Sequence, residues 1–563
     1  MIEPREAPVG ASAAEASPAG ASPTEITPAG GGTIPLCYRL RDGVRIEEVA
    51  AGWRAVCELP LAVLRVNAAA ARLLELTRGG CAVPDLAAAL SVDQERILRL
   101  CERFRGRGLL DVGLVPAETV AGPALGGVDA GGVETGGVAD IPAAPPSVTA
   151  IVPTKDRAGE LDDCLTALFA VDYPRESLEV IVVDDGSTDG TAEVVSRHPC
   201  VYLANDRNRG QSYSRNAGAR IASGEILAFI DSDCVPSVEW LRDLVPFFSW
   251  SKVVAVGGFV AGYHTDSRLD RYEQVASSLN MGDRMVLMTD DRSMSYVPTC
   301  NLLVRRDVYR AVGGLREEMR VGEDVDLCWR LRGAGWNLVY SPTGTVWHRH
   351  RNRLSEMLRR RATYGTSEAL LHGLHPEKRK TMPVRLLPSL SSGLIAAAVV
   401  GLEPRLLPLA LVPLAADGVR ATVRLAREDA GVRVSRVWFS VVRGHLSFLY
   451  SVAFHLVRYY LLVLVAAGLV FPGLWFLATA ALLYVVVVDF AAKRPRLALP
   501  VFLWFSLAEH AAYQVGVIAG CVRTGSFRSY LLRFTRTATP EPADRTPRSA
   551  LPPISLRKAH PGS

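Results

Sequence analysis

The sequence predicts an α/β fold: a central domain on a parallel sheet, preceded by a small winged-helix module and followed by a helical, membrane-associated region. Three apolar runs carry the central part. Residues 148–154, VTAIVPT, form a continuous apolar stretch of the kind a buried parallel strand shows. LEVIVVDD (178–185) repeats the pattern and opens into a Gly-Ser-Thr turn, and ILAFIDSD (226–233) repeats it again, ending on Asp231 and Asp233. The helical stretch ELDDCLTALFAV (160–171) separates the first two runs, and strand, helix, strand of this length is a βαβ unit. Ligands of such sheets sit at the carboxyl ends of the strands, where Asp156, Asp184, Asp185, Asp231 and Asp233 all fall.

The flanks differ in composition. Residues 1–33, rich in Ala, Pro, Gly, Ser and Thr, read as a disordered tail without the basic start and apolar core of a secretory signal. Residues 113–147 repeat Gly-Gly-Val units with Ala and Pro and read as a flexible linker. Between them, residues 34–112 hold short β-like pieces (CYRL, VRIEEV) and helical segments. Leu86, Leu90, Ile97, Leu100 and Phe104 recur there at helical spacing, and Gly106 and Gly108 lead into LLDV. That is the outline of a winged helix, but Asp93, Glu95 and Glu102 on the last helix leave little for a phosphate backbone to bind.

Net charge is +5 over 563 residues with no long basic run, which excludes a nucleic-acid partner on electrostatic grounds. The ten cysteines lack a CxxC pair or metal-site rhythm, so reduced thiols in a cytosolic compartment are expected. From Tyr459 to Val488 no residue is charged, a run longer than the roughly 20 residues that cross a bilayer as a helix. Pro472 and Gly473 interrupt it, giving a hairpin of helices over about 446–470 and 474–490 with Arg458 near or inside the membrane. Lys493, Arg494 and Arg496 follow at once and mark a cytoplasmic end. Residues 385–416 and 499–522 are further spans or interfacial helices, so the helical region covers 381–530 and a second disordered tail covers 531–563.

Two carboxylates as close as Asp231 and Asp233 repel unless something positive sits between them. Mg²⁺ or Mn²⁺ carrying a diphosphate is one answer, since such ions take one or two protein carboxylates and complete their shell with phosphate oxygens and water. A solvated Asp pair at a strand end is the other. Downstream, Glu323 and Asp324 open a helix whose Leu327, Leu331 and Trp336 face the core. Acids there serve equally as dipole-compensating caps or as catalytic groups. His348 follows a strand-like stretch and is a plausible metal ligand, with His350 the second choice; Trp347 beside them packs either on a bound sugar or in the core.

In this order and spacing, the segments VTAIVPT, VVDDGSTDGT, NRGQSYSRNAG, FIDSD and GEDVDLCWRL resemble the inverting family-2 glycosyltransferases of GT-A fold over residues 147–370. The resemblance implies a nucleotide-sugar-binding domain over 148–380. It places Asp156 and Asp185 on the uracil and ribose of a UDP-sugar, with Asp184 in support. Asp233 becomes the direct metal ligand, with Asp231 nearer the ribose and metal waters and His348 completing the site. Asn208, Arg215 and Asn216 shape the nucleotide pocket, and Asp324, in the Glu323-Asp324 pair, is the general base. The processive polymerases' Gln-x-x-Arg-Trp motif is missing; RRRATYG (359–365) stands after the Glu-Asp segment, so a short product is expected. LPLAVLRVNAAAARLLELTRGG and the helix pair after it resemble PqqD-like peptide-recognition domains. The order of domains resembles the glycosyltransferases of mycofactocin systems. This implies glucose transfer from UDP-glucose onto premycofactocin, extending a short β-1,4-linked chain on the cytoplasmic side of the membrane. A polyprenyl-linked or cell-envelope glycan acceptor, and a non-catalytic membrane scaffold for a peptide-modifying complex, are the alternatives.

Overall fold

The computed structural model describes residues 36–49, 52–58, 61–114, 145–289, 296–378, 380–428 and 430–536. The tail expected over 1–33 and nearly all of the linker expected over 113–147 lie outside them, as do residues 537–563.

In the N-terminal module, Arg45–Val49, Gly52–Glu58 and Leu61–Val66 form an antiparallel meander. Helices Ala68–Leu76, Val83–Leu90 and Gln94–Gly106 follow, and Leu110–Leu114 returns to pair antiparallel with Leu36–Leu40. Asn67 and Asp93 cap the first and third helices, accepting from the backbone N–H of Ala70 (2.8 Å) and Arg96 (3.1 Å). The meander's last strand went unread in the sequence. LAVLRV lacks a polar alternation, so periodicity does not separate it from the helix that begins two residues later. Its Leu61 and Val63 pack on Leu425, Ala430 and Val437 of the apolar helical region, and Arg54 donates to the Glu428 carbonyl at 2.6 Å.

The central domain is an eight-stranded sheet in the order 286–288, 337–340, 253–257, 301–305, 226–230, 148–154, 178–184, 201–204. The four strands from Ile226–Ile230 to Val201–Ala204 are parallel, as the apolar runs of the first three imply. Asn301–Arg305 runs antiparallel to both neighbours and makes the sheet mixed. Gly218 lets helix Gln211–Ile221 lie on the sheet, since a Cβ there would come within 2.7 Å of Ile151 Cγ2. A second, three-stranded sheet sits at the carboxyl edge: Cys234–Pro236 pairs antiparallel with Val346–His348, which pairs parallel with Val260–Gly262. The fully buried Asn301 holds it to the large sheet, donating to the carbonyls of Phe259 (3.0 Å) and Gly344 (2.9 Å) and accepting from Trp240 Nε1 (2.8 Å).

Four helices among the described residues are long and apolar enough to cross a membrane: Leu406–Arg427, Val434–Ala467, Gly473–Lys493 and Leu499–Thr524. Leu386–Gly401 is shorter. The expected hairpin breaks at Pro472, but its first arm is longer than read and contains a π-helical turn at Leu456–Tyr460. Gln514 bridges that turn, donating to the Val457 carbonyl (2.7 Å) and accepting from the Leu462 N–H (2.9 Å), so backbone groups freed by the irregularity are satisfied.

Helix Leu354–Leu374 packs along Leu499–Thr524 with almost no gap. A Cβ on Gly516 would lie 1.8 Å from the Ala362 carbonyl oxygen, and one on Gly365 would lie 2.2 Å from that of Tyr513. Gly516→Ala should therefore force the two helices apart and cost about 1–3 kcal/mol. The check is a lowered melting temperature of the detergent-solubilised protein.

One expectation fails outright. Arg533–Arg536, read as part of a disordered tail, forms a strand paired in parallel with Thr381–Val384. The pairing uses main-chain hydrogen bonds between segments about 150 residues apart, which no local pattern in RFTR reports.

Candidate active site

Two cavities meet at the carboxyl edge of the large sheet. The first, about 810 Å³, gathers Asp156, Asp185, Asn208, Asp231, Asp233 and His348. The second, about 1160 Å³, holds Glu323, Asp324 and Arg215 and extends toward helix Leu499–Thr524. Asp231, His348 and Gln211 belong to both walls.

Fold topology explains how residues so distant in sequence converge. Strand Ile226–Ile230 delivers Asp231 and Asp233 to the edge, and the chain then enters the small sheet, whose register sets Cys234 opposite His348. His348 Nε2 thus lies 3.6 Å from Asp233 Oδ1, too far for a hydrogen bond but suitable for two ligands of one cation. Asp233 Oδ1, Cys234 Sγ and a His348 nitrogen lie within 4.8 Å of one another. His348 Nδ1 is buried and has no hydrogen-bond partner, and Asp233 is neutralised by Arg157. An oxygen and an imidazole nitrogen so placed fit a hard or borderline divalent ion. His350 faces Glu273 at 3.9 Å instead; burial, with His348 and Arg361 adding to it, pushes its pKa down to about 3, so the ring is neutral. Trp347 is 38 % exposed, so it does not pack in the core.

Under Asp231 lies Arg215, 1 % exposed, whose guanidinium bonds Asp231 on one side and Glu323 on the other (3.2 Å). Burial alone would raise the Asp231 carboxyl, but Arg215 more than offsets this and holds it below the usual range. Gln211 donates to the same Glu323 at 2.6 Å. Glu323 is therefore occupied, which leaves Asp324 as the less engaged carboxylate of the adjacent pair in the larger cavity. Its Oδ1 accepts from the Val325 N–H at 2.8 Å. Burial first, then the Glu323 charge, pushes its pKa up to about 7. A carboxyl near neutrality suits general base chemistry.

Asp156 sits at φ 49°, a strained position for a non-glycine residue, and accepts from the Thr188 N–H at 2.8 Å. That bond, with Lys155 alongside, holds its carboxyl below the usual range. Asp185 accepts from Asn205 (2.9 Å) and from the N–H groups of Arg209 (2.7 Å) and Gly210 (2.8 Å), and so shapes the loop that carries Asn208. Two expected pocket residues lie elsewhere. Asp184 accepts from the Ser187 N–H and the Tyr202 hydroxyl and lines neither cavity. Asn216 points away and ties the helix Arg306–Ala311 to the loop after it, bonding Leu315, Glu317 and the Tyr309 hydroxyl. Arg215 supports the acids from below rather than lining the nucleotide side. The sequence reading missed Gln211, Arg157, Arg360 and Tyr364. The last two lie in RRRATYG, whose departure from the polymerase motif was the available signal.

Residues 149–313 match the family model described as glycosyl transferase family 2. Over 235 residues the chain is 36% identical to the pre-mycofactocin glycosyltransferase of Mycobacterium tuberculosis, covering 41% of this chain and 48% of that protein. Over 203 residues it is 32% identical to glycosyltransferase AglE of Haloferax volcanii, covering 35% of this chain and 64% of that one. The chain thus spans about half to two thirds of the length of these relatives. Among solved structures, the mannosyltransferase PcManGT from Pyrobaculum calidifontis, in complex with GDP-Man and Mn²⁺, aligns with a TM-score of 0.33 at 21% identity. That alignment covers 54% of this chain and 88% of that one.

Proposed function

We infer, from a chain whose residues 149–313 match the glycosyl transferase family 2 model, that the whole protein is a membrane-associated, metal-dependent inverting hexosyltransferase that moves glucose from UDP-glucose onto premycofactocin and builds a short β-1,4-linked chain. The observation that carries this reading is the shared wall. A donor in the cavity of Asp156, Asp185 and Asn208 and an acceptor in the cavity of Asp324 would meet at Asp231 and His348.

In the proposed reaction Asp324 takes the proton of the acceptor hydroxyl as its oxygen attacks the anomeric carbon. The bond from that carbon to the nucleoside diphosphate breaks in the same in-line displacement, inverting the centre. Asp233 and His348, with Asp231 beside them, would hold Mg²⁺ or Mn²⁺, which neutralises the leaving diphosphate when bound. Arg215 fixes Asp231 and Glu323, so the acids keep their spacing while charge moves. Asp184 and Asn216 support the nucleotide side through the loops they bind. The four long apolar helices support membrane association, and Lys493, Arg494 and Arg496 support a cytoplasmic catalytic domain. The N-terminal module is read as a PqqD-like domain, its meander edge Arg45–Val49 available for an added peptide strand.

The test uses membranes containing the full chain, UDP-glucose, premycofactocin and Mn²⁺, with products read by mass spectrometry. A ladder of added hexoses is expected, abolished by EDTA and restored by Mn²⁺. His348→Ala should raise the Mn²⁺ concentration needed for half-maximal rate. Donor hydrolysis without modified premycofactocin would reject the acceptor and redirect the search to polyprenyl-linked glycans, an acceptor class the apolar helices suit equally.

A further inference from the structure

The larger cavity runs well past Asp324, and its far wall belongs to the segment beyond the last apolar helix. Strand Arg533–Arg536 pairs in parallel with Thr381–Val384, with Arg533 opposite Thr381 and Thr535 opposite Pro383. Alternation along the strand turns Arg533 and Thr535 into the cavity, while Phe534 points the other way and is 64% exposed. The Arg533 guanidinium has no carboxylate partner among the described residues.

The rest of that stretch mixes flat aromatic rings with fixed polar groups. Trp329, Tyr364 and Tyr513 line it together with Glu368. Glu368 is held in place by the Tyr459 hydroxyl at 3.0 Å, by the Tyr513 hydroxyl and by Lys380 at 2.8 Å. A pyranose ring has two apolar C–H faces and a rim of hydroxyls, so rings beside anchored donors and acceptors are what it binds.

Direction follows from the chemistry. The hydroxyl that loses its proton lies at Asp324, so whatever the acceptor already carries extends away from the metal end, toward Arg533 and Thr535. We propose that the strand Arg533–Arg536 completes a saccharide subsite, in which Arg533 and Thr535 bind the sugar units already added to the acceptor. This rests on the glycosyl-transfer reading above and assigns the C-terminal segment a part in chain extension.

The experiment measures binding of cellotetraose to the detergent-purified full-length protein by titration calorimetry, alongside UDP-glucose hydrolysis by the wild type. The double variant Arg533→Ala, Thr535→Val should bind about tenfold more weakly, the loss of one charge-assisted hydrogen bond. Phe534→Ser, on the opposite face of the same strand, should bind as the wild type does, separating a direct contact from mere disturbance of the strand. Equal affinity in the double variant overturns the proposal. A wild type that hydrolyses UDP-glucose but does not bind cellotetraose overturns it too, leaving the transferase reading intact; failure of both readouts removes the two together.

Discussion

Asp324→Asn should lower hexose transfer by about 10²–10⁴-fold, the usual contribution of a positioned general base, while the Michaelis constant for the donor stays close to its wild-type value. The asymmetry follows from geometry, because Asp324 lines the larger cavity and not the one that gathers Asp156, Asp185 and Asn208. The pH profile supplies an independent readout. A base works when deprotonated, and burial together with Glu323 pushes the Asp324 pKa up to about 7. The wild-type rate should thus climb about tenfold per pH unit below 7 and level off above it. Stability runs the opposite way. A carboxyl whose folded pKa lies above its unfolded value of 3.8 favours the fold fully below that value, and the contribution is lost as pH rises through about 7. Initial rates between about pH 5 and pH 9 decide the matter. If the asparagine variant kept the same acidic limb, the proton would be going elsewhere.

The second large effect concerns the buried Arg215, which bonds Asp231 and Glu323. Arg215→Met should destabilise the protein by about 3–5 kcal/mol, because it leaves Asp231 and Glu323 as uncompensated charges in the interior. Arg215 is 1% exposed, so water does not stand in for the lost guanidinium. The expected observation is a sharply lower melting temperature, partly recovered when Glu323→Gln removes one of the stranded charges. A variant as stable as the wild type would mean that Asp231 and Glu323 are neutral in the fold, and the electrostatic account of the site would have to be redrawn.

The strands Val148–Thr154, Leu178–Asp184 and Ile226–Ile230 were legible because each is buried on both faces and therefore reads as an unbroken apolar run. Asn301–Arg305 has an apolar centre too, but the reversal of its direction is a property of the sheet and leaves no mark on the strand itself. At the site, residue types were readable and side-chain directions were not. Asp184 and Asp185 are adjacent, yet one turns toward Tyr202 while the other organises the loop at Gly210. Asn216 follows Arg215 directly and faces the opposite way on the helix. The nearness of His348 to Asp233 depends on the register of a three-residue strand pair, which only the folded chain specifies. The strand Arg533–Arg536 escaped notice for the same reason: its partner lies on the far side of every apolar helix in the chain.

The glycine-lined seam between Leu354–Leu374 and Leu499–Thr524 has a consequence for how the proposed enzyme meets its acceptor. With backbones touching at Gly365 and Gly516, the sheet domain is held close against the bilayer in which the second helix is proposed to sit. Asp324 would then stay at one height above the lipid. An acceptor confined to that membrane would encounter it as a tethered reactant, at an effective concentration set by reach rather than by its amount in the cell. Under the proposed chain extension each added sugar would move the reactive hydroxyl by one ring length, and the fixed height would then act as a ruler on chain length.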